Sequence, residues 1–228
     1  PRSRGLGDVY KRQDYSGNGI EDLFVADIDD DGDLDIISAD GSGDKILYHI
    51  NDGTPGNGAW TTNTVISGSD ADGAMSVHVA DIDSDGDLDI VAALFMTSHV
   101  VWIENDGSPN NGGWTSHDVV SSSSSKESYD VTVADIDGDG DLDILEADQS
   151  NKIYWYENDG TPDDGTWSMT KIKGGLTDAH VVATADLDND GDIDVISGAY
   201  TANKVSWHLN DGTPGCLLYT SPSPRDRG

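Results

Sequence analysis

Apolar and polar residues alternate with a period of two along most of this chain, as in MSVHVADI, SYDVTVADI and KIYWYEN. That period sends every second side chain to one face of an extended segment, so these stretches predict β-strands. The three-and-four spacing of an amphipathic helix is absent. Each strand has a punctuation mark. MSVHVADI and SYDVTVADI run into an aspartate-rich loop, LDIVAAL and LDILEA leave it, and KIYWYEN and VVWIEN end at Asn-Asp-Gly, a strong hairpin-turn signal. A fourth strand starts at a tryptophan, in WTTNTVI, WTSHDVV and WSMTKIK.

These marks recur in one register. The aspartate loops start at Asp27, Asp81, Asp135 and Asp186, the Asn-Asp-Gly turns at Asn51, Asn105, Asn158 and Asn210, and the tryptophans stand at Trp60, Trp114 and Trp167. Four antiparallel strands repeated every ~50 residues predict an all-β propeller. A single blade cannot bury both faces, so neighbouring blades must stack on it. Tyr48, Trp102, Trp155 and Trp207 all stand three residues before the turn. With the other tryptophans they are expected to pack between blades rather than to serve as sugar-stacking platforms.

The predicted propeller spans residues 14–215, with blades near 20–68, 74–121, 127–174 and 179–215. The last is expected to stop after its third strand, which makes the whole an incomplete, open arc of about four blades. The ends, PRSRGLGDVYKRQ (1–13) and CLLYTSPSPRDRG (216–228), match no repeat and resemble translated sequencing-adapter read-through. They are set aside as non-native. With them go all five arginines and the only cysteine, Cys216, so the core needs no disulfide and cysteine usage does not decide the redox compartment.

Charge narrows the partners. The chain carries a formal −32, and residues 14–215 hold six lysines against 42 acidic residues. Nucleic acid and anionic membranes need basic patches, so neither is an expected partner. No apolar run reaches the roughly 18 residues of a membrane-spanning helix. No charged-then-apolar leader is visible, and a signal peptide is expected upstream of this stretch.

Of the 42 acidic residues, 21 sit in the four loops. The pattern there is Asp-x-Asp-x-Asp-Gly-Asp-x-Asp, with oxygens at positions 1, 3, 5, 7 and 9. Calcium takes six to eight such oxygens, and a glycine at position 6 permits the sharp turn. Two carboxylates ~5 Å apart in water repel by roughly 0.8 kcal/mol, so the crowding makes sense if a divalent cation reverses the sign. An EF-hand is excluded. Its bidentate glutamate at position 12 is replaced by Ser38, Ala92, Glu146 and Ser197, and the flanks LFVA and DIIS read as strands.

VADIDGDGDLDILEA with KIYWYENDG resembles the FG-GAP/VCBS-type repeat family, whose calcium loops also occur in integrin α-chain propellers. The resemblance covers nearly all of 14–215. It implies side-chain ligands at positions 1, 3, 5 and 9 and a backbone carbonyl at position 7. In the first loop these are Asp27, Asp29, Asp31 and Asp35 with Asp33, and in the second Asp81, Asp83, Asp85 and Asp89 with Asp87. The third has Asp135, Asp137, Asp139 and Asp143 with Asp141, and the fourth Asp186, Asp188, Asp190 and Asp194 with Asp192. About four calcium ions are implied, one per loop. The Phe-Gly…Gly-Ala-Pro signature is missing, which points to the bacterial VCBS-like branch.

No catalytic constellation accompanies these loops: there is no His-Glu-x-x-His, Gly-x-Ser-x-Gly or phosphate loop. Of five glutamates, Glu104 and Glu157 share one repeat position, which reads as scaffolding. His49 and His208 are likewise equivalent and read as strand-face residues, while His78, His99, His117 and His180 are scattered. Repeat symmetry is broken in the loops between second and third strands, by LFMTSH (94–99) and AYTAN (199–203). In a propeller these loops share a face with links such as SSSSSKES, opposite the calcium loops. Leu94, Phe95, Met96 and Tyr200 are therefore ligand candidates.

The expected function is a calcium-binding propeller acting as a binding or adhesion module of a secreted or cell-surface protein, with a periplasmic location as a variant. Its partner is a protein or glycan, and it carries no catalysis of its own. The alternative is a fragment of a propeller-type carbohydrate-active enzyme, such as a polysaccharide lyase, with its catalytic residues elsewhere.

Overall fold

A computed structural model of the chain describes residues 19–54, 60–120, 127–212 and 219–221. The tail at 1–13, most of that at 216–228 and the serine run at 121–126 lie outside the described residues. Blade 1 comprises β1 (Ile20–Ala26), β2 (Asp35–Asp40), β3 (Lys45–Ile50) and β4 (Thr61–Ser67). Blade 2 comprises β5 (Ala74–Ala80), β6 (Asp89–Leu94), β7 (His99–Asn105) and β8 (Trp114–Val120). Blade 3 comprises β9 (Ser128–Ala134), β10 (Asp143–Asp148), β11 (Lys152–Glu157) and β12 (Ser168–Gly174). Blade 4 comprises β13 (Ala179–Ala185), β14 (Asp194–Ala199), β15 (Lys204–Leu209) and β16 (Tyr219–Ser221).

Each blade is an antiparallel meander of four sequential strands. The first strand of each packs on that of the next, in the order β1, β5, β9, β13. Among the described residues β13 makes no comparable contact with β1, so the series is an open arc. Where the sequence predicts a last blade that stops after its third strand, the structure adds β16. This strand is three residues long and pairs Tyr219–Ser221 with Trp207–Leu209. The free edge of β15 offers backbone groups that any following segment can satisfy.

The core lies between blades, not within them. Ile37, Ile46 and Tyr48 of blade 1 pack with Val77, Val79 and Ile90 of blade 2. Val91, Val100 and Trp102 meet Val131, Ile144 and Tyr156, and Leu145, Ile153 and Trp155 meet Val182 and Val195. Each such buried side chain contributes about 1.5–3 kcal/mol. β6 and β10 are buried on both faces; β6 is accordingly apolar after Asp89, whereas β10 also buries Asp143, Glu146 and Asp148. The aromatic expectation holds for Tyr48, Trp102, Trp114, Trp155 and Trp167, and not for Trp60 and Trp207, which join no cluster between blades among the described residues. Trp114 of blade 2 meets Tyr48 of blade 1 edge-on at 6.3 Å, and Trp167 of blade 3 packs on the cluster containing Trp102.

A polar seam reinforces the inner strands. The Asp22 carboxylate accepts the Val77 N–H of the next blade at 3.1 Å, the Ser76 hydroxyl accepts Val131 N–H at 3.4 Å, and Asp130 accepts Val182 N–H at 2.9 Å. The same repeat position reaches the same target three times.

Candidate functional site

The meander places the aspartate loops and the Asn-Asp-Gly turns at one end of every blade, because the former join strands one and two and the latter follow strand three. The loops are shaped by backbone conformation. Position 6 is left-handed in all four, with Gly32, Gly86, Gly140 and Gly191 at φ of 92–102°. An L-residue with a side chain rarely adopts that value. Position 4 is left-handed too, and holds Asp30, Ser84, Gly138 and Asn189.

Position 1 organises the loop from within. The Asp27 carboxylate accepts the Asp31 and Gly32 N–H groups at 3.1 and 3.0 Å. Asp81, Asp135 and Asp186 each accept from their position-6 glycine. Position 5 accepts the N–H of position 7 in every loop, as Asp31 does from Asp33 at 2.9 Å.

Position 9 is the anchor. Asp35, Asp89, Asp143 and Asp194 are fully buried. Asp35 accepts the Ile28 N–H, the Tyr48 hydroxyl and the Asn51 N–H at 3.2, 2.9 and 2.7 Å. Asp89, Asp143 and Asp194 repeat the two backbone bonds, to Ile82 and Asn105, Ile136 and Asn158, and Leu187 and Asn210. The Trp102 and Trp155 indoles lie near the carboxylates of Asp89 and Asp143, where burial raises the pKa and the indoles lower it in part, with neither N–H making a hydrogen bond. The three sequence markers thus meet in one cluster: the loop's last aspartate, the aromatic of strand three and the turn asparagine.

The structure brings together one acidic group per loop. The groups are Asp27, Asp29 and Asp35; Asp81, Asp83 and Asp85; Asp135, Asp137 and Asp143; and Asp186, Asp188 and Asp194, each with ligand atoms within 4.8 Å of one another. Asp31, Asp139 and Asp190 at position 5 stand outside these groups, as does Asp89. The position-7 side chains point elsewhere. Asp33, Asp87, Asp141 and Asp192 lie over Gly53, Gly107, Gly160 and Gly212 of the turns, where an added Cβ would come within 2.8 Å of a carboxylate oxygen.

These groups fit a hard divalent cation. Asp29 Oδ1 and Asp81 Oδ1 are buried and accept no hydrogen bond, an expensive state for a carboxylate oxygen unless a cation faces it. At position 3, Asp83, Asp137 and Asp188 are held above the usual carboxylate range, first by desolvation and then by the neighbouring aspartates. At position 9, burial pushes Asp89 and Asp143 up to about 7.

Adjacent blades also reach toward these groups. Asn110, from the short 3-10 turn Pro109–Asn111 of blade 2, donates to Asp29 of blade 1 at 2.7 Å. Asp163, from the equivalent turn of blade 3, approaches the Glu104–His117 pair of blade 2, whose atoms lie 2.8 Å apart. Glu146 at position 12 turns into the core instead, bonded to Ser128 and Tyr156. His49 bridges Ser38 and Thr62 at 2.8 and 2.9 Å, and buried His208 meets Ser197 at 3.3 Å, so both serve their strands.

The opposite end carries a different chemistry. Phe95 meets Tyr129 edge-on at 6.1 Å, Tyr129 stacks on His180 at 3.9 Å, and His180 stacks on Tyr200 at 5.2 Å. The row crosses blades 2, 3 and 4. His180 Nε2 lies 2.8 Å from Asp178 and 3.1 Å from Gln149. Tyr200 and Met96 are exposed, whereas Leu94 is buried in the core and drops out as a ligand candidate, because it closes β6. Tyr129 was not singled out in the sequence, and His180 read only as one of the scattered histidines. Their signal is that both occupy the second residue of a blade's first strand, where blades 1 and 2 have Glu21 and Met75.

Three comparisons bear on this architecture. A family model described as FG-GAP-like repeat matches residues 27–92, 94–146 and 145–197. Among curated proteins none matches significantly. Among solved structures, an Agrocybe aegerita lectin that recognises non-reducing terminal N-acetylglucosamine is 25% identical with a TM-score of 0.55. That match covers 83% of this chain and 49% of the lectin. The periplasmic gluconolactonase of Pseudomonas aeruginosa is 16% identical with a TM-score of 0.58, over 86% of this chain and 52% of that one. The V. cholerae biofilm matrix protein Bap1 is 19% identical with a TM-score of 0.46, over 85% and 30%. The chain spans about half the length of the first two.

Proposed function

Because the chain belongs to the FG-GAP-like repeat family, we propose that it is a calcium-stabilised glycan-binding module of a secreted or cell-surface protein. The observation that carries the reading is the division of labour between the two ends of the blades. Carboxylates that fit a cation gather at one end, and an aromatic row runs across three blades at the other.

At the first end, the calcium ligands would be the grouped carboxylates, those of positions 1, 3 and 9 in the first, third and fourth loops and of positions 1, 3 and 5 in the second. Calcium, when bound, would offset part of the negative charge of the loop's five or six aspartates. The chain's own residues do the rest. Position 1 curls the loop through its bonds to the position-6 N–H, and position 9 ties the loop to the Asn-Asp-Gly turn and the strand-three aromatic. The metal's work is rigidity, and millimolar extracellular calcium suits such open, carboxylate-rich loops.

At the other end, aromatic rings present apolar faces to the C–H face of a sugar, and Asp178 and Gln149 beside His180 supply hydrogen-bonding groups for hydroxyls. Similarity to a lectin supports this ligand class. No helix among the described residues is long and apolar enough to cross a membrane.

The test is calorimetry of the calcium-loaded protein with oligosaccharides ending in N-acetylglucosamine, beside a panel of other terminal sugars. Saturable binding that Tyr200→Ala abolishes, with an unchanged melting temperature, supports the reading. Absence of any sugar binding, or binding indifferent to Tyr200→Ala and Tyr129→Ala, overturns it.

A further inference from the structure

The seam between blades 2 and 3 gathers three side chains of two chemistries. In blade 2 the strand pairing sets Trp102 opposite His117 and Glu104 opposite Thr115, so Glu104 and His117 are diagonal neighbours on one face of β7 and β8. The Trp102 indole stacks on the imidazole at 4.5 Å with 21° between the rings. That stack holds the ring where its Nε2 lies 2.8 Å from Glu104 Oε2. From blade 3, the turn Pro162–Asp164 brings the Asp163 carboxylate to the same place. Each of the three residues offers one ligand atom, and these atoms lie within 4.8 Å of one another.

The repeats show that this meeting is particular to one seam. Where blade 2 has Glu104 and His117, blade 1 has Ile50 and Asn63, and blade 3 has Glu157 and Thr170. Where blade 3 has Asp163, blade 2 has Asn110, whose amide donates to Asp29 of blade 1 at 2.7 Å. The same turn thus reaches the preceding blade twice, once with a donor for a carboxylate and once with a second carboxylate. The proton shared by His117 and Glu104 serves one carboxylate only. Among the described residues no lysine or arginine pairs with Glu104 or Asp163. Two anions and an imidazole nitrogen around one space match a cation that accepts all three.

We propose that Glu104, His117 and Asp163 hold a zinc ion that pins the turn of blade 3 to β7 and β8 of blade 2. Calcium and magnesium take oxygen ligands, whereas an imidazole joined by carboxylates suits zinc. Three protein ligands leave zinc's fourth position to water. Zinc–ligand bonds of about 2.0–2.2 Å set tetrahedral ligand atoms roughly 3.4 Å apart. The Glu104–His117 contact therefore opens slightly, and Asp163, which is exposed, moves in. The ion takes the place of the Nε2 proton, which passes to solvent. The grouped carboxylates of an aspartate loop come from that loop alone, whereas this ion draws on two blades and acts on the seam between them.

The experiment is calorimetric titration of zinc into the full chain in excess calcium, with His117→Gln and Asp163→Asn beside the native protein. Asp163→Asn places on an exposed turn the residue type that blade 2 carries at the same position, and circular dichroism verifies that both variants fold. The native chain is expected to take up one zinc ion and His117→Gln to lose it. Asp163→Asn is expected to weaken uptake by at least the ~tenfold that loss of an outer-shell partner costs. Zinc is also expected to raise the melting temperature of the native chain beyond its value in calcium, and to leave that of Asp163→Asn unchanged. A native chain that takes up no zinc overturns the proposal. Uptake that His117→Gln retains also overturns it and assigns the ion to the aspartate loops. Uptake that needs His117 but is indifferent to Asp163→Asn overturns the pin between blades.

Discussion

The Asn210 side-chain amide donates to the Ile136 carbonyl at 2.7 Å across 74 residues of sequence. Its second bond goes to Ile193 of its own blade at 3.2 Å, and its backbone N–H meets Asp194 at 2.8 Å. One asparagine therefore joins its own loop, its own turn and the neighbouring blade. Asn158 does the same with Ile82 and Leu142.

Removing this link has a predictable cost. Asn158→Ala leaves the Ile82 carbonyl, in a buried bond, and the Leu142 carbonyl, in a part-buried one, without this donor, so a loss of about 2–3 kcal/mol is expected. Asn51→Ala in blade 1, where the amide N–H donates within its own blade to Leu34 and the amide oxygen keeps the turn bond from Gly53 that Asn158 also makes to Gly160, is expected to cost about 1 kcal/mol less. Urea denaturation of both variants checks the difference, and equal losses would show that the inter-blade bond contributes nothing.

Calcium is expected to raise the melting temperature and chelator to lower it. Each site contributes about 2.7 kcal/mol when free calcium stands a hundredfold above its dissociation constant. Asp81→Asn combined with Asp83→Asn is expected to remove one bound ion in calorimetric titration and to leave the other loops' ions in place. Identical melts with and without calcium would remove the metal from the account.

The inner polar seam implies a pH dependence. Asp130 is held above the usual carboxylate range by desolvation, with a further contribution from the Asp22 charge. A raised folded-state value favours the protonated form, so its stabilising contribution is full below the unfolded value of about 3.8. It is lost as pH rises through the folded value. Asp130→Asn keeps an acceptor for Val182 and does not titrate. Its stability relative to the native chain is expected to increase from pH 4 to pH 7, with the difference vanishing near pH 3.5. A constant difference across that range would refute the assignment.

The turn glycines couple to the aspartate loops. Gly107 sits at φ 77°, and a Cβ there would lie 2.7 Å from the Asp87 carboxylate. Gly107→Ala is expected to cost more than ~1 kcal/mol through backbone strain. By displacing Asp87 it is also expected to weaken calcium binding at the second loop alone. Thermal melts and ion stoichiometry read the two effects separately.

Much of this molecule was legible as pattern. Alternation, the recurrent aspartate loop, the Asn-Asp-Gly turn and the spaced aromatics determined the strands, the four blades and the acidic groups, because each follows from local rules of period two, turn chemistry and charge. What only the tertiary structure decided is which partner each repeated residue meets. The position-9 aspartates read as equal ligands in sequence, yet burial made them anchors shared by loop, turn and aromatic. Asp33, Asp87, Asp141 and Asp192 turned to the glycines, and Glu146 turned to the core. Tyr129 and His180 became a stack, and Leu187 became exposed where Ile82 is covered, through contacts some fifty residues or more away. A sequence pattern records the conformation a segment prefers. Burial and pairing across blades arise only when distant segments occupy the same space, and no local periodicity encodes that.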